Sequence, residues 1–223
     1  MGTSSNFGNM FSVAGGSLFL PFLPMLPIQI LLNNLLYDFS QSAIPTDNVD
    51  QEYIEKPKRW DVSFIRKFMI FLGPISSIFD FLTFFIMLLI FNATEPLFQT
   101  AWFIESLLTQ TFVIFVIRTR KTPFYKSRPS RLLLFSSLCI VGSASIMPFT
   151  PLGALFGFVE PPLTFFIVLA FLICAYLMLV ETVKRWFYTR YAYRLEQVLA
   201  PQKRSGPVQE RLKGWLKRLL QAS

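Results

Sequence analysis

Residues 33–41 read NNLLYDFSQ and follow the apolar run FLPMLPIQILL with no charge between them. An ionised side chain at the centre of a bilayer costs roughly 2.5–3.5 kcal/mol on insertion scales, so a carboxylate kept in such a run marks a site. Asn34, Asp38 and Gln41 are spaced i, i+4 and i+7, which puts them on one face of a helix. Asn6 and Asn9 in SSNFGN are spaced i, i+3 and again share a face. Amide carbonyls and a carboxylate are hard oxygen donors, suited to Mg²⁺ or Ca²⁺ and not to soft transition metals. One carboxylate does not hold a bare divalent ion, so retained water or ligands from other helices must complete the shell. The same spacing also serves interhelical hydrogen bonding. Spacing alone leaves both readings standing, and the ionisable Asp38 favours the ion site.

Other polar residues compete for the same role. Asp80 lies in the middle of an apolar run and Glu105 towards one end of another, with the neutral Gln110 about one turn beyond Glu105. Each is a candidate ligand, and each carboxylate could instead pair with a basic residue near a helix end. Cys139 and Cys174 lie in apolar runs, and the chain has no His, so the cysteines are expected to be packing residues. No Gly-rich phosphate loop or internal repeat occurs, and no catalytic or cofactor-binding residue is expected in this chain. Asn92 opens an Asn-Ala-Thr sequon, a short and frequent motif.

The elements that must position these residues are membrane helices. Of 223 residues 53% are hydrophobic, 26 are Phe, and only 15% are charged, which excludes an ordinary soluble domain. The N-terminus does not read as a cleavable secretory signal. Spanning about 30 Å of hydrocarbon takes about 20 residues. Six stretches qualify, at about 5–23, 26–44, 68–91, 99–118, 131–149 and 163–187, so the expected fold is all-α and polytopic with six transmembrane helices. Pro21, Pro24 and Pro27 separate the first two and make them a tight antiparallel hairpin. Asn6 and Asn9 then come to the level of residues 34–41, and the two polar faces are expected to meet.

The net charge of +8 does not point to nucleic acid, because the basic residues flank apolar segments. Segments 45–67, 118–131 and the tail from Lys184 to Arg218 hold all 21 Lys and Arg. The opposite connections PFLPMLP, NATEPLFQ and PFTPLGALFGFVEPP hold none. Both termini are therefore expected in the cytoplasm, with lipid as the surrounding partner. Residues 1–188 form the membrane domain on this reading, and 189–223 a basic cytoplasmic tail. Within the tail Val208, Leu212, Trp215, Leu216 and Leu219 fall on one helical face opposite Arg211, Lys213, Lys217 and Arg218. Such a helix lies on anionic lipid or packs on another cytosolic domain.

With SSNFGNMFSV, FLPFLPMLPIQILLNNLLYDFSQSAIPTDNVD, KPKRW, RKFMIFLGPISSIFD and WFIESLLTQTFVIFVIRTRKTPF on the page, the chain resembles the C-terminal membrane region of a P-type cation-transporting ATPase. The resemblance is to the bacterial magnesium-transporting subgroup, and it covers about residues 3–188. It implies that the six spans correspond to the fifth to tenth transmembrane helices of such a pump. It further implies that Asn6 and Asn9 occupy ligand positions of the fifth helix, Asn34 and Asp38 those of the sixth, and Gln110 one of the eighth. The implied transported ion is Mg²⁺, brought into the cytoplasm across the plasma or inner membrane, with ATP used only by a full-length parent. Asn9 and Gln110 stand where calcium pumps carry carboxylates, and Tyr37 stands where they carry a Thr ligand. The chain contains no DKTGT phosphorylation motif, TGES loop or nucleotide-binding domain, so by itself it is not expected to hydrolyse ATP. It begins at a Met inside what would be the fifth helix, which suggests a truncated frame, a fragment or one part of a split pump. The expected partner is the part of a pump that carries the first four helices and the cytoplasmic domains. The alternatives are the same scaffold moving H⁺ or Ca²⁺, and a non-catalytic membrane fragment or regulatory partner.

Overall fold

A computed structural model describes residues 2–48, 62–119, 123–187 and 189, with side chains from Gly8 in the first helix and, in the third, at Ile70 and from Gly73. The amphipathic pattern expected in the tail, the residues Lys56, Lys58, Arg59, Arg120 and Lys121, and the side chain of Asn6 lie outside the described residues. The chain divides into two compact units, Met1–Lys184 and Arg185–Ser223.

The described residues are all-helical, with no strand. Seven α-helices follow in order: α1 (Gly2–Gly16), α2 (Pro27–Gln41), α3 (Val62–Leu89), α4 (Glu95–Ile117), α5 (Arg131–Ile146), α6 (Pro151–Leu155) and α7 (Leu163–Phe187). Short 3₁₀ turns occupy Ile44–Thr46, Phe124–Lys126 and Met147–Phe149. Each of the six apolar stretches in the sequence overlaps one of the longer helices. Three segments, Glu95–Ile117, Arg131–Phe149 and Leu163–Phe187, are long and apolar enough to cross a membrane. By contrast, α1 and α2 have 15 residues each. At about 1.5 Å per residue each spans roughly 22 Å, less than the hydrocarbon thickness.

Helix boundaries follow local chemistry. Pro27 occupies the first turn of α2, where a missing N–H costs nothing, and Gln29 Oε1 accepts from the Leu26 N–H at 3.1 Å. Helix α3 ends in a left-handed residue, Asn92 with φ 46°, and the Ala93 N–H closes onto the Met87 carbonyl at 2.9 Å. Asn tolerates this conformation better than most side chains, and the long bond satisfies a carbonyl left open by the end of the helix. The Ser130 hydroxyl accepts from the Leu133 N–H at 3.1 Å and caps α5.

Helix α4 is the axis of the unit. It is buried along most of its length, and α2, α3 and α5 pack around it. Phe84 of α3 stacks edge-on against Trp102 of α4, with ring centroids 4.9 Å apart, and lies 5.0 Å from Phe98. Helix α7 turns Phe165, Leu169, Leu172, Tyr176 and Val180 inward at helical spacing and leaves Ile167, Phe171 and Met178 exposed. An exposed apolar face of this kind requires lipid or a partner to cover it.

Helix α1 packs chiefly along α3, while it touches α2 only slightly. The approach is close because α1 turns small residues to α3. A Cβ at Gly8 would stand 3.1 Å from the Gly73 carbonyl oxygen, and the Ser77 hydroxyl donates to the Gly8 carbonyl at 3.0 Å. The proline hairpin therefore does not bring the polar faces of α1 and α2 directly together as the sequence suggests. Its several prolines leave residues 17–26 as an irregular connection, and α4 sits between the two polar faces instead.

Two sets of hydrogen bonds tie the connections. At one end Gln99 Nε2 donates to the Leu23 carbonyl at 2.9 Å, Gln29 Nε2 to the Phe156 carbonyl at 2.9 Å, and the Val159 N–H to the Thr100 hydroxyl at 3.1 Å. At the other end Arg118 binds Asp47 and the Ser127 carbonyl, and the Ser130 N–H donates to Asp47 Oδ1 at 2.8 Å. The connections without Lys or Arg thus gather at one end, and Arg118, Ser127 and Ser130 at the other.

Candidate cation site

The polar residues of three helices meet on α4. Trp102, Ser106, Thr109 and Gln110 recur at helical spacing, so α4 carries a polar stripe through an apolar interior. Gln110 Nε2 donates to the Ser106 hydroxyl at 2.6 Å, and that hydroxyl donates to Asn9 Oδ1 of α1 at 3.2 Å. Gln110 Nε2 also lies 3.4 Å from Asn33 Oδ1 of α2. The chain Gln110, Ser106, Asn9 therefore joins α4 to α1, and the contact with Asn33 joins it to α2.

This cluster is not saturated. Gln110 Oε1 and Asn33 Nδ2 are buried and have no hydrogen-bond partner. A buried amide oxygen without a donor is an open lone pair, and such groups normally find partners. A cation or a water molecule satisfies the oxygen with the right geometry. Among the described residues no three His, Cys, Asp or Glu side chains come together, so any ion held here is held largely by amides, hydroxyls and water.

The residues expected from the sequence fall into two groups. Asn9 and Gln110 belong to the cluster. Asn34 is half-buried and Asp38 is exposed, because the buried stripe of α2 is Gln29, Asn33, Tyr37 and Ser40. One residue of phase on a helix is about 100°, so Asn34 lies beside the Asn33 face and Asp38 further round, on the exposed side. Asn6 lies within α1, one turn before Asn9. Asn33 and Ser106 belong to the cluster although the sequence does not single them out. The stripe Gln29, Asn33, Tyr37, Ser40 has the same spacing as Asn34, Asp38, Gln41, and choosing Asp38 for its charge selected the neighbouring phase.

A second polar group lies nearby. Asp80 of α3 accepts from the Ser12 hydroxyl of α1 at 2.5 Å and from Trp102 Nε1 of α4 at 3.0 Å. Glu105 of α4 lies against it, fully buried. Neither carboxyl belongs to an ion pair among the described residues. The expected alternative for these carboxylates, pairing with Lys or Arg near a helix end, is therefore not what the described residues do.

Comparison with known proteins agrees with the architecture. Residues 22–186 match the family described as cation transporting ATPase, C-terminus. The chain is 46% identical over 198 residues to the magnesium-transporting ATPase, P-type 1, of Escherichia coli strain K12 and to the protein of that name from Salmonella typhimurium strain LT2. A second Salmonella typhimurium protein of the same name is 44% identical over 195 residues. These alignments cover 86–87% of this chain but only 22% of each relative. The chain thus belongs to the C-terminal membrane region of the P-type cation-transporting ATPases, with magnesium-transporting relatives.

Proposed function

We propose that this chain supplies part of the intramembrane cation site of a magnesium-importing P-type ATPase. Its six long helices act as the fifth to tenth membrane helices, residues 1–188 form the transport region, and 189–223 form a cytoplasmic tail. Asp38 provides the formal charge, while Asn6, Asn9, Asn34 and Gln110 orient a partly hydrated Mg²⁺. The remaining ligands, ATP hydrolysis and the force that alternates access come from the part of the pump that precedes these residues in the relatives. Both termini face the cytoplasm of a cell membrane, as the clustering of basic residues favours.

The observation that carries this reading is the exposure of Asp38 on a helix whose opposite face is fully packed. A carboxylate one helical phase away from a buried amide cluster, in an apolar segment, is costly unless another element covers it. A helix from the rest of the pump would cover it and close the ion site between Asp38, Asn34 and its own ligands. Amides replacing carboxylates leave a weakly charged site, which suits an ion that keeps several of its waters.

The test is a graft. Residues 1–188 replace the matching region of the Escherichia coli magnesium-transporting ATPase, and Mg²⁺-stimulated ATPase activity is measured in proteoliposomes. The graft is expected to be active and its Asp38→Asn version inactive. An inactive graft, or full activity with Asp38→Asn, overturns the assignment.

A further inference from the structure

The stripe of α2 that carries Asp38 continues past it. Asn34, Asp38 and Gln41 share one face at i, i+4 and i+7, and they are half-buried, exposed and half-buried in turn. Among the described residues none of these three side chains makes a hydrogen bond or an ion pair. The other phase of the helix is occupied. Gln29 Nε2 donates to the Phe156 carbonyl at 2.9 Å, Asn33 Oδ1 lies 3.4 Å from Gln110 Nε2, and the Ser40 hydroxyl donates to the Tyr37 carbonyl at 2.7 Å.

Gln41 is the last residue of α2, and the polar side chains that surround it in sequence are all engaged. The Ser42 hydroxyl donates to the Phe39 carbonyl at 2.7 Å and the Thr46 hydroxyl to the Ala43 carbonyl at 2.7 Å. Asp47 is held by Arg118 and by the Ser130 N–H, and Asn48 Nδ2 lies 3.4 Å from the Arg128 carbonyl. From Ser40 to Asn48, Gln41 is therefore the one polar side chain that the described residues leave without a partner. Its place is specific. Three residues of helix put it about 4.5 Å beyond Asp38, towards the end where Arg118 holds Asp47. The last carbonyls of a helix carry partial negative charge, which favours a cation at that end. An amide oxygen is a hard donor, suited to Mg²⁺ or to the waters Mg²⁺ retains.

We propose that Gln41 is a release-side ligand, which takes the cation from Asp38 and passes it to the cytoplasmic end of α2. This role rests on Asp38 being a ligand, as proposed above. A neutral donor placed after a charged one holds the ion less firmly, and an ion pathway needs such a weaker station if the ion is to leave.

The experiment uses the graft of residues 1–188 in the Escherichia coli magnesium-transporting ATPase, in proteoliposomes, with Mg²⁺ varied on the face opposite the ATP. Gln41→Met keeps the length of the side chain and removes its oxygen. Release follows commitment of the ion, so slowing it is expected to lower kcat about tenfold and KM for Mg²⁺ with it, leaving kcat/KM unchanged. Ser42→Ala, at the same level, is expected to change neither. The unfolding midpoint of the 223-residue chain in detergent micelles is expected to be unaltered by Gln41→Met, because the amide has no protein partner to lose. An unchanged kcat, a lowered kcat/KM, an equal loss in Ser42→Ala or a lowered midpoint in Gln41→Met each overturns the role of Gln41. The two readings separate in the same preparation. An inactive graft, or full activity in Asp38→Asn, removes the Asp38 site and this role with it, whereas a graft silenced by Asp38→Asn and untouched by Gln41→Met overturns the role of Gln41 alone.

Discussion

Gln110 of α4 reaches Asn33 of α2 at 3.4 Å, and through Ser106 it also reaches Asn9 of α1. One amide side chain thus links three helices. Removing Asn33 leaves Gln110 further short of partners, so Asn33→Leu is expected to destabilise the chain by about 1 kcal/mol, within the range measured for hydrogen bonds between membrane helices. Asp38→Ala, on the exposed phase of the same helix, is expected to leave the unfolding midpoint unchanged. Thermal unfolding of both variants in detergent micelles separates packing from ion binding. Equal destabilisation by the two would mean that the α2 phase described here is wrong.

Lys184 is fully buried, and its ammonium donates to the Val116 carbonyl at 2.9 Å and to that of Thr119 at 3.4 Å, with Glu181 at 3.1 Å. The final carbonyls of a helix have no partner within it, so this lysine caps α4 from α7. Lys184→Met keeps the stem and removes the donors. It is expected to cost on the order of 2 kcal/mol, the usual penalty for leaving buried acceptors unpaired. Hydrogen exchange at the C-terminal end of α4 is the direct readout, and unchanged protection there would contradict the capping role.

Much of this arrangement was legible in the sequence. Apolar stretches of about 20 residues gave the positions of the long helices, and Pro27, Asn92 and Ser130 mark boundaries by their backbone chemistry. The polar residues Asn9 and Gln110 were also identifiable, because polar groups stand out in apolar runs. What could not be read was phase and partnership. Asn33 and Asn34 are adjacent and both fit an i, i+4, i+7 stripe, so the buried one follows only from the helices that pack there. Likewise the hairpin loop fixes sequence adjacency of α1 and α2, but the small residues Gly8 and Ser12 send α1 to α3 instead. Ser106 looks like an unremarkable helix residue until Asn9 and Gln110 are placed on either side of it.

Two glycines should respond oppositely to the same change. A Cβ at Gly153 would stand 2.2 Å from the Met147 carbonyl oxygen, a backbone atom that cannot turn aside. Gly153→Ala is therefore expected to destabilise by about 1–3 kcal/mol, as overpacking does. Gly142 lies inside α5 with nothing within 4 Å of a new Cβ. Gly142→Ala is expected to be neutral or to stabilise by up to about 1 kcal/mol, because Gly loses more backbone freedom in a helix than Ala. Denaturation of the two variants in the same micelles gives the sign directly, and a loss at Gly142 equal to that at Gly153 would contradict the packing described for α5 and α6.

Arg118, at the end of α4, ties the segment after α2 to the connection that leads into α5. Its guanidinium pairs with Asp47 and donates to the Ser127 carbonyl, and its Nη2 lies 3.2 Å from the Ser127 hydroxyl. Asp47 in turn accepts from the Ser130 N–H, so the two side chains close a ring between the two connections. Both are nearly buried, with side-chain exposures of 4% and 9%, so solvent screening weakens the pair little. A lysine keeps the charge but not the planar fork needed to serve Asp47 and Ser127 together. Arg118→Lys is accordingly expected to raise the rate of trypsin cleavage after Lys126 by about tenfold, equivalent to about 1.4 kcal/mol of local opening free energy. Asp47→Ala should raise it further, because it leaves the arginine buried with no anion. Peptide mapping of the nicked chain identifies the site, and a cleavage rate that neither substitution changes would mean that the ring does not hold the connection closed.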